Sequence, residues 1–209
     1  MKPLGKVKIE WSQNFAYMIG LMASDGNLSS DGRHINFTSK DYDLAFTYKT
    51  ILGIDNVIGR KTRAQEKEKK YFFVQFGDVL FYRFLVSIGL TPQKSKTIGK
   101  LDIPNQFFFD FLRGCIDGDG NIQTFKHPES KHLQLRVRLV SASRPFLEWI
   151  HQEIMKYDIK GYMQIEKTVF CLTFAMGASK KLLSKIYYKG FKYCLIRKYL
   201  LAKEYLIKE

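Results

Sequence analysis

Two stretches of the chain repeat each other in register. Tyr17 to Leu28 reads YMIGLMASDGNL and Phe111 to Ile122 reads FLRGCIDGDGNI, 94 residues apart when Asp25 is set on Asp119. The shared elements are Gly20/Gly114, Asp25/Asp119, Gly26/Gly120 and Asn27/Asn121. An internal repeat decides the architecture before any local propensity does, because each copy must build the same unit. The segments after the two motifs also correspond: INFTSKDYDLAF (Ile35 to Phe46) resembles LVSASRPFLEWI (Leu139 to Ile150), a strand running into a helix in both. The chain therefore divides into a first repeat over 1–90, a linker over 91–104 with turn residues, and a second repeat over 105–209.

Each repeat reads as helix, two strands, helix, two strands, helix. Residues 11–24 carry a helical apolar pattern opened by Ser12 as N-cap, and 105–118 do the same after Pro104. HLQLRVRLV (132–140) alternates, with Leu133, Leu135, Val137 and Leu139 on one face and Gln134, Arg136 and Arg138 on the other. Residues 34–38 behave alike, and 71–76 and 161–174 read as further strands. Helices are expected near 41–52, 78–88, 144–157, 178–187 and 191–207, and 61–70 (KTRAQEKEKK) as a solvated hairpin tip or loop. The expected fold is α+β, with two pseudo-symmetric αββαββα repeats.

The repeated helices carry the chemistry. Gly20 and Ser24, like Gly114 and Gly118, are four apart, so each helix presents small residues on one face. Two backbones can approach closely along such strips. Glycine inside a helix costs about 1 kcal/mol relative to alanine, a loss that close packing would offset. Packing the strips brings two helix ends together, each ending in an aspartate. A carboxylate is disfavoured at a helix C-terminus, and two of them ~4 Å apart repel by roughly 4 kcal/mol at an effective dielectric of 20. A divalent cation reverses the sign of both effects. With oxygen ligands and no His or Cys nearby in sequence, Mg²⁺ is favoured over zinc. A single Asp-Gly-Asn would read as a turn; two copies on equivalent small-faced helices read as a site.

Charge points to the partner. The 34 Lys+Arg against 20 Asp+Glu leave +14, split +6 and +8 on either side of Pro104, so a polyanion is expected along the whole molecule. The 45% hydrophobic residues suffice for a core. Cys115, Cys171 and Cys194 show no paired spacing and the four histidines are scattered, so free thiols in a reducing compartment are expected. MKPLGKVKIEW lacks the apolar run of a signal peptide, and no membrane span is apparent. A cytoplasmic location is expected, or an organellar matrix for an organelle-encoded chain.

MIGLMASDG (Met18 to Gly26) and LRGCIDGDG (Leu112 to Gly120) resemble the paired signature of the LAGLIDADG homing endonucleases in their single-chain, two-repeat form. The linker wording, GLTP then KSK then IP before FFDFLRG, is similar to members encoded within introns or inteins. The resemblance covers nearly the whole chain. It implies saddle-shaped antiparallel sheets lying on double-stranded DNA, with the two motif helices packed at the centre. It also implies a monomer with no obligate protein partner, and hydrolysis of one phosphodiester per strand leaving short 3′ overhangs. Asp25 and Asp119 are then the metal-binding acids, with the carbonyls of Ser24 and Gly118 as further ligands for Mg²⁺ or Mn²⁺, Ca²⁺ being a non-catalytic substitute. Ala23 stands where the second motif has Asp117, which is read as a cap or surface acid. Lys40, at the head of a helix, is the first candidate for a basic catalytic side chain beside the acids, with Ser143 as its counterpart and Arg144 next; Lys126 and Arg138 are weaker.

Strands with one polar face suit the major groove. In the second repeat Gln134, Arg136 and Arg138, with Gln123 and Lys126, form that face; Asn27, Ser29, Arg33, His34, Asn36 and Thr38 form it in the first. Arg60, Arg63, Gln75, Gln164, Glu166 and Thr173 add contacts, while Lys61, Lys94, Lys96, Lys192, Arg197 and Lys198 read as phosphate contacts or solvated charge. Nine residues of strand reach roughly 30 Å, or about nine base pairs at 3.4 Å, so two repeats would cover about 18 base pairs of asymmetric target. Two other functions suit the same fold: a catalytically silent DNA-binding regulator and an intron RNA-splicing maturase.

Overall fold

The computed structural model describes residues 5–62, 68–126 and 133–206. The first repeat runs α1 (Gln13–Asp25), β1 (Gly26–Leu28), β2 (His34–Ser39), α2 (Tyr42–Leu52), β3 (Gly59–Lys61), β4 (Tyr71–Gly77) and α3 (Val79–Ser87). The second runs α4 (Phe108–Asp119), β5 (Gly120–Lys126), β6 (Leu133–Ser141), α5 (Arg144–Met155), β7 (Tyr162–Glu166), β8 (Val169–Phe174) and α6 (Met176–Ile186), with α7 (Ile196–Lys203) after it. Each repeat forms one antiparallel sheet, ordered β1-β2-β4-β3 and β5-β6-β8-β7. The expected αββαββα order is observed twice. Arg63 lies outside the described residues, as does half of the charged 61–70 stretch (63–67).

Local chemistry sets the element ends. Ser12 Oγ accepts from Phe15 N at 3.1 Å, capping α1 as its sequence position implies. Asp78 caps α3 by accepting from Phe81 N at 2.9 Å, and its other oxygen accepts from Val7 N at 2.9 Å, pinning the N-terminal segment. The last helix is shorter than the 191–207 expected, starting at Ile196.

The core is built around α1. Every residue from Phe15 to Ala23 is buried, so this helix is enclosed on all sides rather than amphipathic. Its tightest neighbour is α4. A Cβ on Gly20 would lie 2.1 Å from the Phe111 carbonyl oxygen and 2.9 Å from Gly114 Cα. A Cβ on Gly114 would lie 2.1 Å from the Tyr17 carbonyl oxygen. No other side chain fits either position, which is the steric reason for the paired glycines. One continuous apolar core, from Val7 to Ala202, joins both repeats.

The two sheets share a pattern but not a size. Gly26 pairs with Phe37 and Gly120 with Leu139, so β2 and β6 align at an offset of 102 residues against 94 for the motifs. The second hairpin is thus eight residues longer (102 against 94). This corrects the sequence alignment of the region: Lys40 corresponds to Ala142, not Ser143, and Asn36 to Arg138. It also corrects the equal reach expected of the two halves, because β2 has six residues and β6 nine.

Candidate active site

Asp25 and Asp119 are the last residues of α1 and α4, and each is followed by a glycine whose N–H donates back into its helix, Gly26 to Met22 O and Gly120 to Ile116 O. The close approach at Gly20 and Gly114 carries through to these ends. A Cβ on Gly118 would lie 2.0 Å from Ser24 Oγ and 3.2 Å from Asp25 Oδ2. The first acid therefore sits directly over the end of the other helix. The Ser24 hydroxyl is turned inward, donating to Gly20 O and Leu21 O at 3.1 Å, which leaves its carbonyl for other partners.

One such partner is Lys94, in a short 3-10 turn (Lys94–Lys96) of the linker. It is 5% exposed, and its Nζ donates to Ser24 O at 3.5 Å. Burial pushes its pKa below the usual lysine value, while the carboxylates of Asp119 and Asp25 pull it back up. The reading of Lys94 as a surface phosphate contact is corrected: it is a buried ammonium within electrostatic reach of both acids. Nothing local in the sequence marks it, since its position depends on the linker folding back under the helix ends. Lys96, in the same turn, is exposed.

A cavity of about 800 Å³ opens from this centre across the first sheet. It is lined by Ser24, Asp25, Asn27, Asn36, Thr38, Lys40, Lys61, Gln75, Lys94 and the Gly118 backbone, among others. Lys40 is exposed, its ammonium 5.3 Å from the centre of the Tyr71 ring. Thr38 donates to Asn36 at 2.8 Å, and Asn36 faces Gln75 across the ladder. Arg197 of α7 reaches over from the second repeat to grip Asp41, donating at 3.0 and 2.9 Å to its two carboxylate oxygens. Arg33 and His34 are held at the hairpin turn by Asp31, which accepts from both backbone N–H groups.

On the second sheet, Asn121 pairs with Arg138 and Gln123 with Arg136, so these side chains share the outer face. The Arg136 guanidinium lies 4.4 Å from the Phe125 ring centre. Arg138 makes a short contact to Glu166 and donates to Cys171 Sγ at 3.0 Å. Gln164 and Glu166 are exposed on β7, and Gln134 pairs opposite Phe125.

Several expected contacts are placed elsewhere. Thr173 is 1% exposed beneath its neighbours, so it is not a surface contact. Arg60 pairs with Phe72 and Ser39 in a row that faces the helices, its guanidinium 5.0 Å from the Phe72 ring; strand alternation gives the outer face to Lys61 instead. Lys126 ends β5, six residues or roughly 20 Å of strand from Gly120, and shares the face of Leu133, so it is neither at the centre nor on the outer face. Ser143 is buried and makes a short contact to Ile98 O, and Arg144 pairs with Glu148.

Asp117 is also corrected. Rather than a cap or surface acid, it is buried and accepts from Leu195 N at 2.7 Å, Tyr17 OH at 2.9 Å and Tyr187 OH at 3.3 Å. Burial raises its pKa, opposed first by the Leu195 hydrogen bond. It ties the C-terminal segment to α4, as does the buried Arg113, which donates to Tyr193 O, Ile186 O and Asp110. Replacing Asp117 by alanine strands three donors, so a loss of roughly 1–3 kcal/mol is expected. Asp117→Asn, which retains an acceptor, should lose much less. Thermal melts of the two variants check this, and equal melting temperatures would show that the hydrogen bonds contribute nothing.

Among the described residues no cluster of three or more His, Cys, Asp and Glu could hold a metal. The donor set at the helix ends is two carboxylates and nearby carbonyls, all oxygen. That set suits Mg²⁺, which binds through one or two carboxylates and fills its other positions with water and phosphate oxygens.

Two αββαββα repeats with an acid at each of two abutting helix ends define the two-repeat LAGLIDADG fold, and the chain has that fold. Solved structures of the same fold include the homing endonuclease I-DmoI in complex with DNA and Ca (13% identity, TM-score 0.62, covering 91% of this chain and 97% of that one). The LAGLIDADG meganuclease I-AabMI bound to uncleaved DNA is similar at 13% identity and TM-score 0.63, covering 93% and 89%. Full-length DUF199/WhiA from Thermatoga maritima is similar at 14% identity and TM-score 0.54, covering 97% of this chain and 64% of that one. No protein-family model and no curated protein matches the chain.

Proposed function

We propose that the protein is a site-specific, divalent-metal-dependent double-strand DNA endonuclease that acts as a monomer on a long asymmetric target and leaves short 3′ overhangs. The observation that carries this reading is the pair of aspartates at the touching C-termini of α1 and α4. That placement sets two carboxylates at the negative ends of two helices, where positive charge, from Lys94 and from a bound divalent cation, is favoured. Neighbours of the same fold support DNA as the partner: I-DmoI structures are complexes with DNA and Mn or Ca, and I-AabMI is bound to uncleaved DNA.

Asp25 and Asp119 would hold Mg²⁺ or Mn²⁺, with the carbonyls of Ser24 and Gly118 beside them. When bound, the metal would activate a water and stabilise the leaving oxygen. Lys94 places a buried amino group next to both acids, and Lys40 places an exposed ammonium in the same cavity, where a phosphoryl group gains negative charge. The outer faces of the sheets bind and read the duplex. WhiA has the same fold, so the fold alone does not decide between a nuclease and a silent regulator; the two retained acids favour the nuclease. Incubating the purified protein with a randomised-site plasmid library and Mg²⁺, then sequencing the ends, tests this. Recurrent breaks at one long site are expected; binding enrichment without breaks would favour the regulator.

Readout makes a finer prediction. Arg136 and Arg138 stand on the outer face of β6, and at least one of them is expected to reach a base edge, guanine O6 and N7. Replacing that arginine by alanine should cost roughly 1–3 kcal/mol and relax one position of one half-site, whereas Lys96→Ala should weaken binding evenly. Cleavage profiles over all single-base variants of the target separate the two. Uniform loss in both arginine variants would mean that β6 touches only the backbone.

A further inference from the structure

Sheet register matches every residue around the acids with its counterpart in the other repeat. Setting Phe37 on Leu139 and Val74 on Leu172 makes Thr38 equivalent to Val140, Lys40 to Ala142, Tyr71 to Val169 and Lys61 to Glu166. One cross-sheet row therefore reads Lys40, Tyr71, Lys61 beside Asp25, and Ala142, Val169, Glu166 on the side of Asp119. The first row lines the cavity, with both ammonium groups over aromatic rings, Lys40 on Tyr71 and Lys61 on Phe73. The second row offers no cation, and its one charged group, Glu166, is directed at Arg138.

The remaining pair of lysines differs in the same sense. Lys94 follows the third helix of the first repeat, and Lys198 follows the third helix of the second; both reach the end of their own motif helix. Lys94 makes one 3.5 Å contact, to Ser24 O, among the described residues. Lys198 donates to Ile116 O, Asp117 O and Gly120 O at 2.6, 2.8 and 2.7 Å. An ammonium has three N–H donors, so Lys198 has none left for a phosphate. It is 4% exposed, which corrects its reading as a solvated charge.

We propose that the two halves of the active centre are unequal, and that the strand whose scissile phosphate lies against the Lys40–Lys61 row is hydrolysed first, through a predominant nicked intermediate. The inference rests on the endonuclease reading. In each strand the same bonds change: a water oxygen bonds to phosphorus, and one bridging P–O bond breaks with its electron pair on the leaving sugar oxygen. The water gives up one proton and the leaving oxygen takes one up. What differs is the charge facing the phosphoryl oxygens as they gain negative charge: two ammonium groups on one side, and on the other the Arg138–Glu166 ion pair, whose charges offset each other.

The test uses the full chain, Mg²⁺ and the duplex recovered from the cleaved library, with each strand labelled by a different 5′ dye. Single-turnover reactions resolved on denaturing gels give one rate per strand. Wild type should cut one strand at least about tenfold faster. Lys40→Ala, at an exposed position, should slow that strand by at least about tenfold and leave the other within about twofold. Ala142→Lys should narrow the difference by speeding the slow strand. Equal wild-type rates, or Lys40→Ala slowing both strands alike, would overturn the inference and leave the nuclease reading standing. Cleavage of neither strand by wild type would overturn both.

Discussion

Asp25→Asn and Asp119→Asn are each expected to reduce cleavage by about a thousandfold or more, the scale seen when a group on which a whole active centre depends is removed. Affinity for the duplex should hardly change, because phosphate and base contacts from the sheets supply it. Thermal melts serve as the control that each variant is folded. Single-turnover cleavage, a binding titration in Ca²⁺ and thermal melts make the comparison. A variant that cuts at the wild-type rate would show that the acids are not the active centre.

Gly20→Leu and Gly114→Leu carry the second large effect. The added Cβ alone would lie 2.1 Å from a main-chain carbonyl oxygen, Phe111 O in one case and Tyr17 O in the other. Backbone of a buried helix cannot step aside as a flexible side chain can, so the cost should reach or exceed the ~1–3 kcal/mol usual for overpacking. Because α1 and α4 join both repeats in one core, the loss should be global, with one lowered unfolding transition. Gly177→Ala serves as control, since nothing lies within 4 Å of a Cβ there, and it should hold or raise the melting temperature. An unchanged melting temperature in both leucine variants would mean that the two helices do not touch.

Much of the fold could be read from the chain. The repeat, the order of elements, the Ser12 cap and the small faces of the motif helices are all signals carried within a dozen residues, and local patterns survive in sequence. What failed was long-range. Lys94 reads as linker charge until the linker is seen folding beneath the helix ends. Asp117 and Lys198 read as surface groups because nothing nearby shows that the segment after α6 wraps over α4 and buries both. Arg60 and Lys61 could not be sorted, since a three-residue strand is too short to display alternation. The counterpart of Lys40 was misplaced because strand-to-helix passages look alike when slid by a residue, and only ladder pairing fixes the register.

Under the proposed function, the unequal hairpins set how rare a target is in a genome. Six residues of β2 reach roughly 20 Å and nine of β6 roughly 30 Å. That is about six base pairs against nine at 3.4 Å per step, giving about fifteen readable positions rather than eighteen. Each fully discriminated position dilutes chance matches about fourfold, so three fewer raise their number about sixty-fourfold. The short arm also leaves one flank of the site freer to drift without escaping the protein. Host sequences carrying the site should therefore vary more on the side read by the first repeat than on the side read by the second.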